Sequence, residues 1–293
     1  MVRQMTIPEF REAFPDETAC KDYLRDSRWP DGVRCPRCGA PEPYALPSRS
    51  HHWQCHQCNP LGYRFSVTVG TMFENTNIAL TVWFEVIYYM MTSKKGVSAL
   101  QIQRQMGLGS YRTAWSMCHR IRAGMADESF QQLAGFVEID EAYIGGKDKW
   151  KHFGKRGGGS RGGKGKMIVV GAVQRGGDVV AKVVDAVDSK TLGEFMREVL
   201  SNRVSLLSTD ASRRYPTMRG IKRGKVDHSA GQYVVGAVHT NTIEGFWSQF
   251  KRGIVGTFHK VTAKYLPLYV AEFEFRYNNR KNPDIFGAAV GTA

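Results

Sequence analysis

The sequence predicts a multidomain protein of mixed α+β and α/β class, with a small cysteine-rich N-terminal unit, a helical segment and a mixed-sheet domain. Three observations predict this organisation: two C-x2-C pairs, apolar residues at helical spacing, and a β-β-β-α-β-α order in the second half. At 293 residues the chain is longer than most single domains. We therefore expect a helical lead-in at 1–30, the cysteine unit at 31–75, the helical segment at 76–130 and the sheet domain at 133–293.

The composition predicts a soluble protein with a polyanionic partner. Hydrophobic residues make up 42% and charged residues 23% of the chain, which is ordinary for a globular protein. The formal net charge of +14 and the pI near 9.6 favour nucleic acid over an anionic membrane. The first 14 residues carry both signs of charge, and the most apolar segment, 78–91, is too short to span a bilayer. We expect a cytoplasmic protein with reduced cysteines and no membrane partner.

The N-terminal cysteines have the spacing of a metal site. Cys35 and Cys38 form one C-x2-C pair, and Cys55 and Cys58 form another after sixteen intervening residues. Four thiolates on two tight turns can close a tetrahedron around one ion, so the pattern predicts a structural Zn²⁺ site in a zinc ribbon. A redox function would instead need a single C-x-x-C near a βαβ unit, and that context is missing here.

The middle of the chain predicts helices with a basic face. Apolar residues recur at helical spacing over 80–91, and a capping box opens a second helix over 98–106. A glycine-rich turn then leads into a basic helix over 111–125, which carries Arg112 and Arg120. Helix, glycine turn and basic helix is the order of a helix-turn-helix that contacts DNA, although any antiparallel helical pair has similar punctuation.

The sheet domain begins with a strand over 136–144, followed by an insertion over 147–166 with eight Lys or Arg and seven Gly. Such a segment cannot bury enough apolar area to fold by itself. Its basic residues would act as a clamp on a phosphate backbone or, alternatively, as a solvated spacer. The candidate DNA-binding residues in this insertion are Lys155, Arg156, Arg161 and Lys164.

Three carboxylates lie where a mixed sheet would bring them together. Asp140 stands near the exit of the first strand, Asp210 ends a strand over 204–210, and Glu244 lies on the polar side of an amphipathic helix. A carboxylate at the exit of a strand sits on a rigid element facing open space. The local alternative for Glu244 is a capping box with Asn241, in which the carboxylate only closes the helix start.

The order of these parts resembles the insertion-sequence transposases of the ISXO-like type, which join an N-terminal zinc ribbon to a DDE catalytic domain of RNase H-like fold. The resemblance covers nearly the whole chain. Besides the two cysteine pairs, it rests on FSVTVGT at 65–71, VEIDEAYIGG at 137–146, STD at 208–210, HTNTIE at 239–244 and EFEFRYN at 272–278.

The resemblance implies that Asp140, Asp210 and Glu244 are the DDE triad and hold Mg²⁺ or Mn²⁺. Hard cations of this kind prefer oxygen ligands. Some relatives have Asn as the third member, so Asn241 is kept as a supplementary ligand. His239, Asn241, Lys251 and Arg252 would position phosphates near the metal ions. Glu138 and Glu141, which flank the first aspartate, are interpreted as solvated charges at the strand end.

The implied activity is cleavage at the ends of the element, followed by transfer of the freed 3′ ends into target DNA. The implied partner is double-stranded DNA, as terminal repeats and as target, and the pairing of two ends implies a homo-oligomer, at least a dimer. The implied location is the cytoplasm, at the bacterial nucleoid. Two other functions fit the same residues: a non-enzymatic zinc-ribbon DNA-binding regulator, and an RNase H-like nuclease without strand transfer.

Overall fold

A computed structural model describes residues 5–58, 61–126, 130–145, 165–226, 234 and 236–291. The chain divides into two compact units, the first comprising Met1–Met125 with Lys281–Ala293 and the second Ala126–Arg280. No helix among the described residues is long and apolar enough to cross a membrane.

The first unit begins with two short helices, α1 (Ile7–Ala13) and α2 (Glu17–Arg28). Asp16 caps α2, since its carboxylate accepts the backbone N–H of Ala19 at 2.9 Å. Both helices lie within the stretch 1–30 that the sequence predicts to be helical.

The cysteine-rich part of the unit is a three-stranded antiparallel sheet of β1 (Tyr44–Ala45), β2 (His52–Cys55) and β3 (Tyr63–Ser66), in the order β1-β2-β3. Strand β3 ends at Ser66. The chain turns there because the backbone N–H of Val69 bonds to the Ser66 carbonyl. The guanidinium of Arg28, at the end of α2, donates hydrogen bonds to the carbonyls of Val67 and Val69.

Helices complete the first unit: α3 (Leu80–Thr92), α4 (Ala99–Gln105), α5 (Tyr111–Gly124) and, from the other end of the chain, α9 (Ile285–Gly291). Residues 281–293 are predicted to belong to the sheet domain. In the structure, α9 packs against α2 and α3, where Phe286 meets Phe84 at a centroid distance of 5.5 Å. The sequence of an amphipathic helix predicts that one face is buried, but it does not indicate which apolar surface that face packs against.

The second unit is built on a five-stranded mixed sheet in the order β6-β5-β4-β7-β8. Neighbouring β4, β5 and β6 pair antiparallel, whereas β4 pairs parallel with β7, and β7 parallel with β8. The predicted β-β-β-α-β core is confirmed, and β8 is a strand that was not predicted. Its elements are β4 (Leu133–Ile144), β5 (Met167–Gln174), β6 (Val179–Val184), α6 (Ser189–Val199), β7 (Leu200–Asp210) and β8 (Arg223–Val226).

Helices cover both faces of this sheet, as the sequence predicts. On one face lie α7 (Asn241–Gly253), which continues into a π-helical turn (Ile254–Phe258), and α8 (Leu266–Asn278). Helix α6 covers the other face. Residues of β4 alternate between the two cores, because successive side chains of a strand point to opposite faces. Ala142 and Ile144 face α7, while Val137 and Ile139 face α6.

Candidate active site

The four predicted cysteines come together in the first unit. Their sulfur atoms all lie within 4.8 Å of one another, with 3.8 Å between the Sγ atoms of Cys35 and Cys58 and 3.6 Å between those of Cys38 and Cys55. A tetrahedron with Zn–S bonds of about 2.3 Å has S–S edges of about 3.8 Å. A disulfide needs about 2.05 Å. The donor set therefore fits one Zn²⁺.

Local backbone geometry builds the first knuckle. The N–H of Gly39 donates to the Cys35 carbonyl at 2.8 Å, and the N–H of Cys35 donates to the Ala40 carbonyl at 2.9 Å. Gly39 takes φ +72°, which glycine adopts without strain. The second knuckle follows directly from β2, which ends at Cys55. A tight turn and a strand end thus present the two cysteine pairs to each other.

The first two predicted acids lie on neighbouring strands of the mixed sheet. The parallel ladder between β4 and β7 aligns Val137 with Leu207 and Glu138 with Ser208. Asp140 and Asp210 each follow two residues beyond that last pair, so they share one face of neighbouring strands. Asp140 lies two residues before Ala142 in β4, so its side chain points to the same face of the sheet, which α7 covers. The amide N–H of Ser212 donates to Asp210 Oδ1 at 3.0 Å.

Glu244 stands on the first turn of α7. The helix is amphipathic, and its buried stripe includes Ile243, Phe246 and Phe250, which pack on the sheet, while Glu244 is exposed. The hydroxyl of Thr240, the N-cap residue, donates to Glu244 Oε1 at 2.9 Å. The capping box that pairs Asn241 with Glu244 is not what forms, because the helix begins at Asn241 itself.

The pKa of Asp140 is raised by its burial and by the negative charges of nearby acids. Burial is the largest cause that raises the pKa of Asp140, to about 7, and the negative charge of Glu141 acts in the same direction. The charges of Asp210 and Glu244 raise this pKa further, while the backbone N–H of Glu141 lowers it. Three carboxylates that repel each other's ionised form are a suitable environment for a hard cation with oxygen ligands. Among the described residues, the four cysteines are the only group of three or more His, Cys, Asp or Glu residues whose ligand atoms all lie within 4.8 Å of one another.

The interpretation of Glu138 as a solvated charge is wrong. Its side chain is fully buried and accepts the backbone N–H groups of Thr242 and Ile243 at 2.8 and 3.0 Å. Arg175 Nε donates to its other oxygen at 2.6 Å. One signal in the sequence could have revealed this: Glu138 lies between the apolar Val137 and Ile139, inside a strand, where a carboxylate needs a buried partner.

Glu141 is also not a free strand-end charge. Its carboxylate accepts the Tyr215 hydroxyl at 2.6 Å, and Tyr215 belongs to the core on the α6 side of the sheet. Burial is the largest cause that raises the pKa of Glu141, whereas the hydrogen bond from Tyr215 lowers it. Odd-numbered residues of β4 face α6, so Glu141 lies across the sheet from the face of Asp140.

The predicted DNA-binding residues occupy different environments. Lys251 and Arg252 are exposed in the last turn of α7, and Asn241 is exposed at its start. The Nδ1 atom of His239 lies 3.1 Å from Glu138 Oε1.

In the first unit, Arg112 is exposed at the beginning of α5. Arg120 is half-buried, donates to the Glu74 carbonyl at 2.8 Å and lies over the Trp83 ring. The four candidates of the basic insertion, at 155, 156, 161 and 164, lie outside the described residues.

A four-cysteine cluster and a mixed sheet covered by helices define a multidomain protein with a zinc-ribbon-like N-terminal part. The chain belongs to the ISXO2-like transposase family, whose domain model matches residues 132–278, half of the chain. A second model, the transposase zinc-ribbon domain, matches residues 15–60. The resemblance inferred from the sequence motifs is therefore confirmed.

Two comparisons with individual proteins accompany the family matches. An uncharacterized protein in transposable element ISH50 of Halobacterium salinarum is 27% identical over 288 residues, covering 93% of this chain and 94% of the relative. Among solved structures, a chain of the simian T-cell lymphotropic virus intasome in complex with the PP2A regulatory subunit B56 gamma is 13% identical with a TM-score of 0.30. That match covers 66% of this chain, which spans 65% of the length of the other chain.

We expect the purified protein to hold about one zinc ion per chain by elemental analysis, because four thiolates complete one tetrahedral site. Cys55→Ser should lose the zinc and unfold the ribbon. Cys118→Ala is the matched control, since Cys118 is a fully buried thiol of the same unit outside the cluster, and it should keep the zinc. A folded protein that holds no zinc would contradict the assignment.

Asp140→Asn should stabilise the metal-free protein at pH 8, by about 2–6 °C in Tm. The pKa of Asp140 is raised from 3.8 to about 7 in the folded chain, so its contribution to stability falls as pH rises through that window. The asparagine carries no charge, so the advantage should disappear near pH 4.

Thermal unfolding across this pH range, in chelator, is the measurement, with Asp185→Asn as the control for removing an exposed aspartate of the same unit. An Asp140→Asn variant less stable than the parent at pH 8 would contradict the repulsion between Asp140 and the neighbouring acids.

Proposed function

We propose that this chain is a DDE transposase that cleaves DNA at the ends of an insertion sequence and joins the 3′ ends to target DNA. The observation that carries the proposal is the placement of Asp140 within β4 and of Asp210 at the end of the parallel neighbour β7, on one face of the sheet, with Glu244 on the helix that covers the same face. Membership of a transposase family supplies the reaction class. The three carboxylates supply groups that suit this chemistry.

The sheet supports an RNase H-like fold for the catalytic domain. Its order, β6-β5-β4-β7-β8, is antiparallel on one side of β4 and parallel on the other, with α6 crossing between the parallel strands β4 and β7. This topology places Asp140 of β4 beside the end of β7, which carries Asp210.

In this proposal Asp140, Asp210 and Glu244 hold Mg²⁺ or Mn²⁺. When bound, such ions activate the attacking oxygen and stabilise the leaving oxygen of a phosphodiester. The protein's own part is to present the ligands: the Ser212 amide fixes Asp210, and the Thr240 hydroxyl fixes Glu244. Asn241, exposed one turn before Glu244, offers an additional amide oxygen near the helix start.

DNA would be held by basic groups around this site. Lys251 and Arg252 lie two turns beyond Glu244 on α7 and are exposed, and His239 precedes the helix. Further contacts would come from the basic insertion at 147–166. Contacts of this kind add affinity that depends on salt and not on sequence.

Recognition of the element's ends would fall to the first unit. Its helices α4 and α5 are joined by a short turn in which Gly107 takes φ +62°, and Arg112 is exposed on the first turn of α5. We propose that this pair acts as a helix-turn-helix beside the zinc ribbon. Because transposition must hold two DNA ends at once, we also propose that the protein works as at least a dimer, acting in the cytoplasm on nucleoid DNA.

Asp210→Asn should abolish strand transfer while DNA binding is kept. The amide keeps the size of the side chain but removes the negative charge that a divalent cation requires, so the loss should exceed about a hundredfold, as for other groups acting directly on the reacting centre. The assay uses labelled element ends, a target plasmid and Mg²⁺, with binding measured by gel shift.

The same assay distinguishes the other functions. Cleavage without joining by the parent protein would indicate a nuclease, and a gel shift alone would indicate a regulator. Equal joining by the parent and by Asp210→Asn would remove Asp210 from the site.

Replacing Lys251 and Arg252 together by alanine should weaken DNA binding for every sequence to a similar degree. Each phosphate contact contributes about 0.9 to the slope of log K against log salt, so the slope should fall by about 1 to 2. The measurement is a salt titration of binding to element ends and to unrelated DNA. Lys190→Ala is the control, since Lys190 is exposed on α6, across the sheet. An unchanged slope would exclude phosphate contacts by the pair.

A further inference from the structure

We propose that Glu138, Arg175 and Gly171 are positioning residues that fix the helix carrying Glu244 against the strand carrying Asp140. The inference rests on the proposed function, because it assigns these residues to the geometry of the same carboxylate site. None of the three would touch a metal ion or DNA. They would act through α7.

The first contact is a carboxylate from the strand that binds the start of the helix. Glu138 Oε2 accepts the N–H groups of Thr242 and Ile243 at 2.8 and 3.0 Å, and Oε1 accepts the Thr242 hydroxyl at 2.9 Å. The first N–H groups of a helix have no partner within the helix, and the helix dipole makes them attractive to an anion. A residue on β4 thus performs the function of an N-terminal cap for α7, from about a hundred residues earlier in the chain.

The second contact is the ion pair between the buried Glu138 and Arg175. Arg175 Nε donates to Glu138 Oε1 at 2.6 Å, while Nη1 and Nη2 donate to the carbonyls of Ala237 and His239 at 2.7 and 3.1 Å. One guanidinium therefore joins the carboxylate to the segment that leads into α7. Lysine could not make these three bonds together, because only the planar guanidinium presents several donors in a fixed fork.

The third contact holds the helix directly on the sheet. Gly171 of β5 pairs with Asp140 in the antiparallel register. A Cβ at Gly171 would lie 2.7 Å from Trp247 Cζ2 and 3.3 Å from Ile243 Cδ1. A methyl group at this position would collide with the indole ring, so only glycine lets α7 approach the sheet this closely.

These contacts lie on both sides of Glu244 along the helix. Thr242 and Ile243 are bound by Glu138 just before it, and Trp247 rests on Gly171 one turn after it. The strand side is equally local, since Glu138 lies two residues before Asp140 and Gly171 lies opposite it. Sites of this kind need their ligands held within about 0.5 Å, and supporting residues provide that precision. Loss of such support typically lowers metal affinity or activity by about 10–100-fold.

The test compares Glu138→Gln, Arg175→Lys and Gly171→Ala with the parent. The readouts are the Mn²⁺ concentration that gives half-maximal strand transfer, the Kd for Mn²⁺ by calorimetry, and the Kd for DNA. We expect each variant to need about tenfold more Mn²⁺ and to bind it correspondingly more weakly. DNA affinity should stay within about twofold, since none of the three residues is placed at the DNA surface. High Mn²⁺ should recover much of the lost rate.

Glu272→Gln is the matched control. Glu272 is also a fully buried carboxylate near an arginine, with Arg276 Nη1 at 3.4 Å, but it lies on α8. We expect it to lower Tm without moving the Mn²⁺ requirement. If Glu138→Gln does not fold, Thr242→Val removes only the hydroxyl bond to Glu138 and should shift the Mn²⁺ requirement in the same direction by a smaller factor.

The outcomes separate this inference from the proposed function. Mn²⁺ requirements equal to that of the parent in folded Glu138→Gln and Gly171→Ala would overturn the positioning role, even if Asp140→Asn is inactive. Strand transfer retained by Asp140→Asn would instead overturn the proposed function. Inactive Asp140→Asn that high Mn²⁺ does not rescue, together with rescue of Glu138→Gln, is the result that supports both.

Discussion

The parallel pairing of β4 with β7 is the constraint on which the candidate site depends. The two strands are about sixty residues apart in the chain, and helix α6 makes the crossover that lets them run in the same direction. Once Glu138 is aligned with Ser208, Asp140 and Asp210 must lie side by side on one face of the sheet. A shift of one residue would turn one of the two acids to the α6 face. The site is thus set by the same register that buries the core.

Two acids on one face of β4 have opposite surroundings, and the contrast suits the different roles that we propose for them. Glu138 has an arginine and two backbone N–H groups, which compensate for its loss of water. Asp140, two residues further on, meets the negative charges of Glu141, Asp210 and Glu244, and its pKa rises to about 7. The negative charge of Glu138 is balanced by groups of the protein itself. The negative charge of Asp140 would be stabilised most by a bound cation.

Patterns that repeat along the chain could be read from the sequence. Helical spacing predicted the buried face of α7, including Phe246 and Phe250, and the C-x2-C spacing predicted the four-cysteine cluster. The end of a strand was predicted correctly for Asp210, whereas Asp140 lies inside β4, which continues to Ile144. Their catalytic role is still a prediction.

Contacts between distant segments could not be read in this way. The capping box of Asn241 and Glu244 is a reasonable local prediction, but α7 begins at Asn241 with Thr240 as its N-cap residue. Glu138 of β4 instead accepts the N–H groups of Thr242 and Ile243, a contact between distant segments. Likewise, nothing near Gly171 in the sequence indicates that Trp247 will lie on it. The prediction that 281–293 belong to the sheet domain was wrong for the same reason, because the sequence does not show which apolar surface Phe286 packs against.

The distribution of charge favours an enzyme over a protein that only holds DNA. A regulator with a net charge of +14 would bind phosphates best through a continuous basic surface, and acids placed among those basic groups repel the same phosphates. The folded chain nevertheless keeps Asp140 buried among other acids, which raises its pKa and opposes folding at neutral pH. Such an arrangement weakens both stability and simple DNA binding. It becomes favourable when divalent cations lie between the carboxylates and the phosphates, since the ions then attract both groups.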